Sequence, residues 1–448
     1  MIRLALLSVT RHSGASFATA LVALVGVALL AAMAAILGTG LSDATPEADR
    51  AFLVQFPVIL GSWILGIVVF AVVSTIGVAL GGRTEELRGL RLIGATPGQI
   101  QQMIAVETVV VSAAAALPGV LLGYLLGGGI VAMTQQIGVT TGDGGYSPGI
   151  VLPVLAGMIV VTAAGIGALV GSRAGASRSP VGDVAARATS RYQLPRRIAA
   201  IVCIGIGLAS SATALGMEPG AVYATAATGP GCVLVAVGAA LLAQEMLRAA
   251  NRTIVLALGR LGGADILLAT INLRIAPERI RPAITFLTLF VGVAAGTLSM
   301  QAIENAATAS VGGIGQFMAT INYLVVFLIA AFMTIALVNN LVASIRQRRG
   351  ELSVMLSVGA TIGQSTRMLL GESAIAVAMA VVVGGSGAVV AVVPFAILKT
   401  GTATTALQLL PLLSVVASAA AVTFLTTAIV GRHTARIAGS QEMLGAAA

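Results

Sequence analysis

Ten stretches of this sequence are each long and apolar enough to cross a bilayer, and that removes most folds. They lie at about 14–38, 56–81, 101–133, 149–172, 197–216, 221–246, 283–303, 319–344, 366–398 and 408–431. A span needs about 20 apolar residues to cross roughly 30 Å of hydrocarbon. Within lipid every backbone N–H and C=O must be satisfied internally, so such runs become α-helices. The chain is 58% hydrophobic and only 9% charged, against about 25% charged in an average soluble domain. The fold class expected is an all-α polytopic membrane protein of about ten transmembrane helices. The two longest runs, 101–133 and 366–398, must extend past the bilayer, kink or tilt. Pro118 lies inside the first.

The basic residues orient the bundle. With the N-terminus in the cytoplasm, 23 of the 25 Lys and Arg residues fall on the cytoplasmic side, leaving Arg50 and Lys399 outside. So one-sided a distribution is what the positive-inside rule describes. Ten spans then place both termini in the cytoplasm. The outer connections carry Asp43, Glu47, Asp49, Asp143, Glu218 and Glu304. The net charge of +9 therefore belongs to a face against an anionic leaflet, and no nucleic-acid partner is expected. Arg3 and Arg11 precede a first run without a small-residue cleavage site, which reads as an uncleaved span. Cys203 and Cys232 lie in spans five and six at different depths, so a disulfide is not expected and packing roles are.

A repeat organises the chain. Residues 83–107 (RTEELRGLRLIGATPGQIQQMIAVE) and 348–372 (RRGELSVMLSVGATIGQSTRMLLGE) match without a gap at an offset of 265, ten of 25 positions being identical. The pairs include Arg83/Arg348, Glu86/Glu351, Gly94/Gly359, Thr96/Thr361, Gln99/Gln364 and Glu107/Glu372. The order is four spans, two spans, four spans: a first unit over 1–173, linkers and a two-span hairpin over 174–264, and a second unit over 265–448. Six spans separate equivalent points, so the repeat is parallel, not inverted. Basic amphipathic segments at 2–13 and 266–282 enter the two units. Outer connections reach only about 17 residues, at 39–55, too few for a folded external domain. Gly119, Gly123 and Gly127 recur every four residues in span three, and Gly167 and Gly171 do so in span four. Such spacing suits close helix packing within the bundle more than a dimer seam. Asn339 and Asn340, at positions equivalent to Ser74 and Thr75, are expected to hydrogen-bond between helices.

The repeated segments are polar hinges between spans. In each, a short amphipathic helix is expected, with Leu87 and Leu90 on the first, and Leu352, Met355 and Leu356 on the second, as apolar knobs. Gly94 and Gly359 end these helices, and Thr96 and Thr361 cap the next. A ridge of this kind can dock into a groove on a soluble partner; the alternative is a helix lying on lipid. Glu107 and Glu372 open the long spans near the inner interface, where local Arg partners are expected and a proton relay is not.

The pattern E-L-x-x-L-x-x-x-G-A-T-x-x-Q resembles the cytoplasmic segment of FtsX-like permeases, the MacB/LolC-type membrane subunits of ABC transporters. It is carried here by Glu86, Leu87, Leu90, Gly94, Ala95, Thr96 and Gln99, and again by Glu351, Leu352, Met355, Gly359, Ala360, Thr361 and Gln364. The entry segments and Pro180-Val181 after span four are also similar to family features. The resemblance covers both four-span units and implies that both segments are coupling helices meeting an ATPase subunit. It implies two copies of that ATPase, a bacterial inner membrane, and a complete permease in one polypeptide. ATP and Mg would be bound by the partner, and no cofactor by this chain. The chain itself has no P-loop: its single lysine is Lys399, on the outer side. His12 and His433 are isolated, so no metal site is expected. Two departures stand out: the short loops at 39–55 and 304–318, where many relatives carry a large external domain, and a C-terminal tail without a Pro-Val segment. With no external domain, the expected cargo is amphiphilic: a lipid, peptide or hydrophobic antibiotic exported or extracted from the membrane. The alternative is an ATP-driven signalling or scaffold module that moves nothing.

Overall fold

A computed structural model describes residues 13–81, 89–90, 92–136, 138–141, 143–176, 185–218, 223–243, 245–248, 269, 271–272, 280–308 and 313–445. Among them there is no strand, and ten helical stretches are long and apolar enough to cross a membrane. The first unit consists of α1 (Ser13–Gly40), α2 (Glu47–Gly81), α3 (Pro97–Gln136) and α4 (Val151–Ala176). The hairpin is α5 (Ala185–Ala212) and α6 (Tyr223–Leu241). The second unit comprises α7 (Arg281–Thr308), α8 (Gly313–Gln347), the short α9 (Arg349–Ser357), α10 (Ile362–Ala380), α11 (Ser386–Thr400) and α12 (Leu409–Gly445). A π turn, Val381–Gly385, joins α10 to α11, so the two make one long span. The entry residues 2–12 and Pro180 and Val181 lie outside the described residues.

Several helices outrun their apolar stretches. The second was expected from 56, but α2 starts at Glu47 and carries Pro57 inside it. Glu47 and Asp49 sit in its first turn, where exposed N–H groups favour negative charge. Likewise α12 continues to Gly445, well beyond 431. At 40 residues, α3 is roughly 60 Å long, about twice the hydrocarbon thickness, so one end projects from the bilayer.

Small residues set the packing of the first unit. A Cβ on Gly119 would lie 2.9 Å from the Leu24 carbonyl oxygen, and one on Gly123 would lie 2.5 Å from the Ala31 Cβ. One on Gly127 would lie 3.1 Å from the Ala32 carbonyl. All three glycines press α3 onto α1. A Cβ on buried Gly167 of α4 would lie 3.0 Å from Val73 Cγ2 of α2, and Gly171 follows one turn later on α4. These contacts are intramolecular. In the second unit a Cβ on Gly384, at 119 plus the repeat offset, would lie 2.7 Å from the Thr288 carbonyl oxygen of α7 in the same sense. It lies in the π turn, whose middle residue Val383 occupies the position equivalent to Pro118. At one level the long spans thus carry a proline inside a continuous helix in one unit and a π turn in the other.

The units meet through α2 and α8. Asn340 Nδ2 donates to Thr75 Oγ1 at 3.5 Å, and both residues are buried. Asn339 Nδ2 donates to the Ala18 carbonyl of α1 at 3.4 Å. Thr75 and Asn340 are 265 residues apart, so equivalent positions touch and the pseudo-twofold axis passes between them. The hairpin breaks this symmetry: α6 packs on α7, α11 and α2. Cys203 and Cys232 are free. At the far end of the first unit, buried Asp49 accepts from the Thr141 N–H at 3.0 Å and its hydroxyl at 2.8 Å. Ser147 bonds Ser42 at 3.0 Å. The two connections on that side are tied to each other.

Candidate functional site

Wherever both copies of the repeat are described, they fold into the same turn. The Ile93 N–H donates to the Gly89 carbonyl, and the Val358 N–H to the Val354 carbonyl, each at 3.2 Å. The Ala95 N–H reaches back to the Leu90 carbonyl, and the Ala360 N–H to the Met355 carbonyl, each at 3.0 Å. Such wide bonds close a helix end through a left-handed residue. That residue is Gly94, with φ +99°, and Gly359, with φ +100°. A side chain would be strained there, which accounts for glycine in both copies.

The next helix starts with reciprocal caps. The Gln364 N–H donates to Thr361 Oγ1 at 3.2 Å, and the Thr361 N–H to Gln364 Oε1 at 2.8 Å. In the first copy the equivalent distances, between Gln99 and Thr96, are 3.3 and 3.0 Å. Each such capping box satisfies two otherwise orphan donors. Gly, Thr and Gln are therefore retained for backbone geometry, which holds a hard turn at the end of each projecting span.

What this turn presents differs from the expected ridge. Leu352 is 0% exposed. It packs with Ala269, Ile345, Met368 and Leu369, with Met355 and Val430 at the edge. Burying a leucine contributes about 1.5–3 kcal/mol, so Leu352 anchors α9 to the bundle and is not a docking knob. Met355 is half-buried, as is Leu90. The apolar residues facing outward are Ile93, 86% exposed, and its equivalent Val358, 84% exposed, with Leu92 and Val354 beside them. Glu86 and Leu87 lie outside the described residues.

Beneath the second turn is a buried ionic network. Arg348 Nε bonds Glu351 at 3.1 Å, Nη2 bonds Glu372 Oε1 at 3.0 Å, and Nη1 makes a further short bond to Glu372 Oε2. Asn272 Nδ2 donates to Glu372 Oε1 at 3.1 Å. Only 10% of the Arg348 side chain and 7% of that of Glu372 are exposed. Burial disfavours the charged guanidinium, but the hydrogen bonds and charges of Glu372 and then Glu351 outweigh it and hold Arg348 above its ordinary value. The network joins the start of α9, the start of the long span α10 and the entry segment. Glu107 is buried like Glu372; Arg83, the equivalent of Arg348, lies outside the described residues. Arg348, Glu351 and Glu372 are the charged positions among the ten identities of the repeat. That shared identity was the available signal for the network; Asn272 had none. Among the described residues no cluster of His, Cys, Asp and Glu could hold a metal ion.

A family model described as FtsX-like permease C-terminal matches residues 58–177 and 323–438. Together these make more than half of the chain. The two matches begin 265 residues apart, the offset of the repeat. No curated protein matches the chain.

Proposed function

The chain belongs to the FtsX-like permease family, and from that premise we propose that it is the whole permease of an exporter powered by two copies of a separate ATPase. Family membership makes it a membrane subunit of an ABC transporter, and permeases of this family work with an ABC ATPase. The ten spans make it a multi-pass membrane protein. The reading goes further in four respects. The units 1–173 and 265–448 act as pseudo-symmetric halves. The turns around Gly94 and Gly359, on the cytoplasmic side of a bacterial inner membrane, each dock one ATPase. ATP and Mg sit on that partner, and this chain has no ATPase site of its own. The cargo is amphiphilic.

The observation that carries the reading is the pair of exposed residues Ile93 and Val358. They sit on turns with the same hydrogen bonds and the same left-handed glycine, 265 residues apart. A projecting apolar tip on a rigid, polar-rimmed turn suits insertion into a groove. Ile93→Asp and Val358→Asp would place a charge in that contact, which costs several kcal/mol unless paired. Each should weaken co-purification of the ATPase, and the double variant should abolish it. A double variant that inserts in the membrane and still holds its ATPase would overturn the reading.

A further inference from the structure

We propose that Arg348 is a positioning residue for coupling: it pins the base of the second turn to the long span, so that a push on the tip at Val358 moves α9 and α10 as one lever. The proposal rests on the docking of an ATPase at that tip.

The chain puts Arg348 at a corner. Helix α8 ends at Gln347 and α9 starts at Arg349, so Arg348 alone joins them. Its N–H donates to the Ile345 carbonyl of α8 at 3.1 Å, and its carbonyl accepts from the Leu352 N–H of α9 at 3.0 Å. From this corner the nine residues of α9 run out about 13 Å to the tip. The chain then returns along α10 and reaches Glu372 after about three turns. At the tip the two helices are joined by the peptide chain and by the Thr361–Gln364 capping box. At the base they are joined by the Arg348 guanidinium, which holds Glu351 of α9 at 3.1 Å and both carboxylate oxygens of Glu372, Oε1 at 3.0 Å. The lever is closed at both ends.

Three observations separate a pin from ordinary packing. First, α9 packs chiefly on α12, and its apolar contact with α10 is that of Leu352 with Met368 and Leu369. Apolar contact is non-directional and lets helices slide; a guanidinium gripping a carboxylate at two points does not. Second, the pair is almost closed to water, with 10% and 7% of the side chains exposed, so it is little screened. Third, both copies keep it in sequence, Arg83 with Glu107 as Arg348 with Glu372. The hydrogen bonds of the turn account for Gly, Thr and Gln but ask nothing of two residues 24 positions apart. A moving α10 carries the π turn and α11 with it, and Phe395 of α11 lines a small cleft between the units together with Thr225 of α6.

A cysteine at Thr225 carrying bimane, in a chain with Cys203 and Cys232 replaced by alanine, reports on that cleft in the complex with its ATPase. MgATP with vanadate should change the emission. Arg348→Met/Glu372→Met removes the pin without stranding a charge. It should keep its ATPase and melt higher than Arg348→Met alone, yet lose the ATP-dependent change by at least about fivefold. A purely structural role would let stability and signal recover together. The exchange Arg348→Glu/Glu372→Arg again sets one guanidinium between two carboxylates and should restore the signal. A methionine pair that holds its ATPase with the signal undiminished overturns the pin alone, as does a parent complex without an ATP response at Thr225. If the methionine pair fails to assemble, the exchange decides: with the ATPase held, a returning signal supports the pin and an absent one overturns it. Retention of the ATPase by Ile93→Asp/Val358→Asp would instead overturn the docking reading.

Discussion

Arg348 concentrates the residue-scale argument. It is one cation serving two carboxylates in a place nearly closed to water. Removing one member of a buried ion pair leaves the other's desolvation uncompensated, at about 3–5 kcal/mol. Arg348→Met should therefore lower the melting temperature of the purified chain clearly. The double variant Arg348→Met/Glu372→Met should be less damaging than the single, because it withdraws the stranded charge as well. Additive losses in that cycle would mean the network is not the source of the stability. Which of these residues could be foreseen depended on range. The Gly359 turn and the Thr361 cap rest on bonds within a few residues, so their sequence signs are local and were legible. Leu352 was not. A leucine on a short amphipathic helix can face a partner, lipid or its own bundle, and only the position of α12 and of Val430 decides that it is buried.

At the scale of elements the long spans are the informative ones. Pro118 announces a missing hydrogen bond in α3, which stays one continuous helix through it. Nothing in Val381–Gly385 announces a π turn, because its wider bonds depend on packing against α7. Pro118 and the π turn each sit beside a glycine pressed on a carbonyl of the unit's first span. π turns within helices are frequently found at functional sites. Gly384→Ala should push α7 away from the turn and destabilise the chain by about 1–3 kcal/mol. Gly129→Ala, where a Cβ meets nothing within 4 Å, should not. Deleting Val382, which lets the turn revert to α-helix, should leave ATPase co-purification intact while cargo-stimulated ATP hydrolysis falls several-fold. Normal stimulation in that deletion would remove the hinge from the mechanism.

At the scale of the molecule, sidedness is the first test. Cysteines at Asp43, Asp143 and Glu218, which are exposed, should react with an impermeant reagent on intact cells. Cysteines at Ile93 and Val358 should react only after permeabilisation; the reverse pattern would put the turns out of an ATPase's reach. The second test concerns how the halves move. Thr75 and Asn340 are equivalent residues in contact, so they lie on the pseudo-twofold axis. When two symmetric halves rock against each other, displacement is smallest at the axis and grows away from it. A small cleft lined by Trp63, Thr225 and Glu304 is off that contact, its Trp63 lying about three turns of α2 before Thr75. In a chain with Cys203 and Cys232 replaced by alanine, Thr75→Cys and Asn340→Cys should cross-link with a membrane-permeant oxidant. If the halves rock, the cross-linked protein should keep most of its cargo-stimulated ATPase activity, and ATP binding by the complex should still alter access to a cysteine placed at Thr225 in the cleft wall. If they instead slide or part along α2 and α8, the same bond should abolish both signals, and reduction should restore them. A module that only signals across the membrane gives a third pattern: ATP-dependent access at Thr225 with no stimulation by any amphiphile, before or after cross-linking. The short, mutually tied connections around Asp49 and Thr141 offer an external partner little to grip, which is why cargo-stimulated hydrolysis is the expected result.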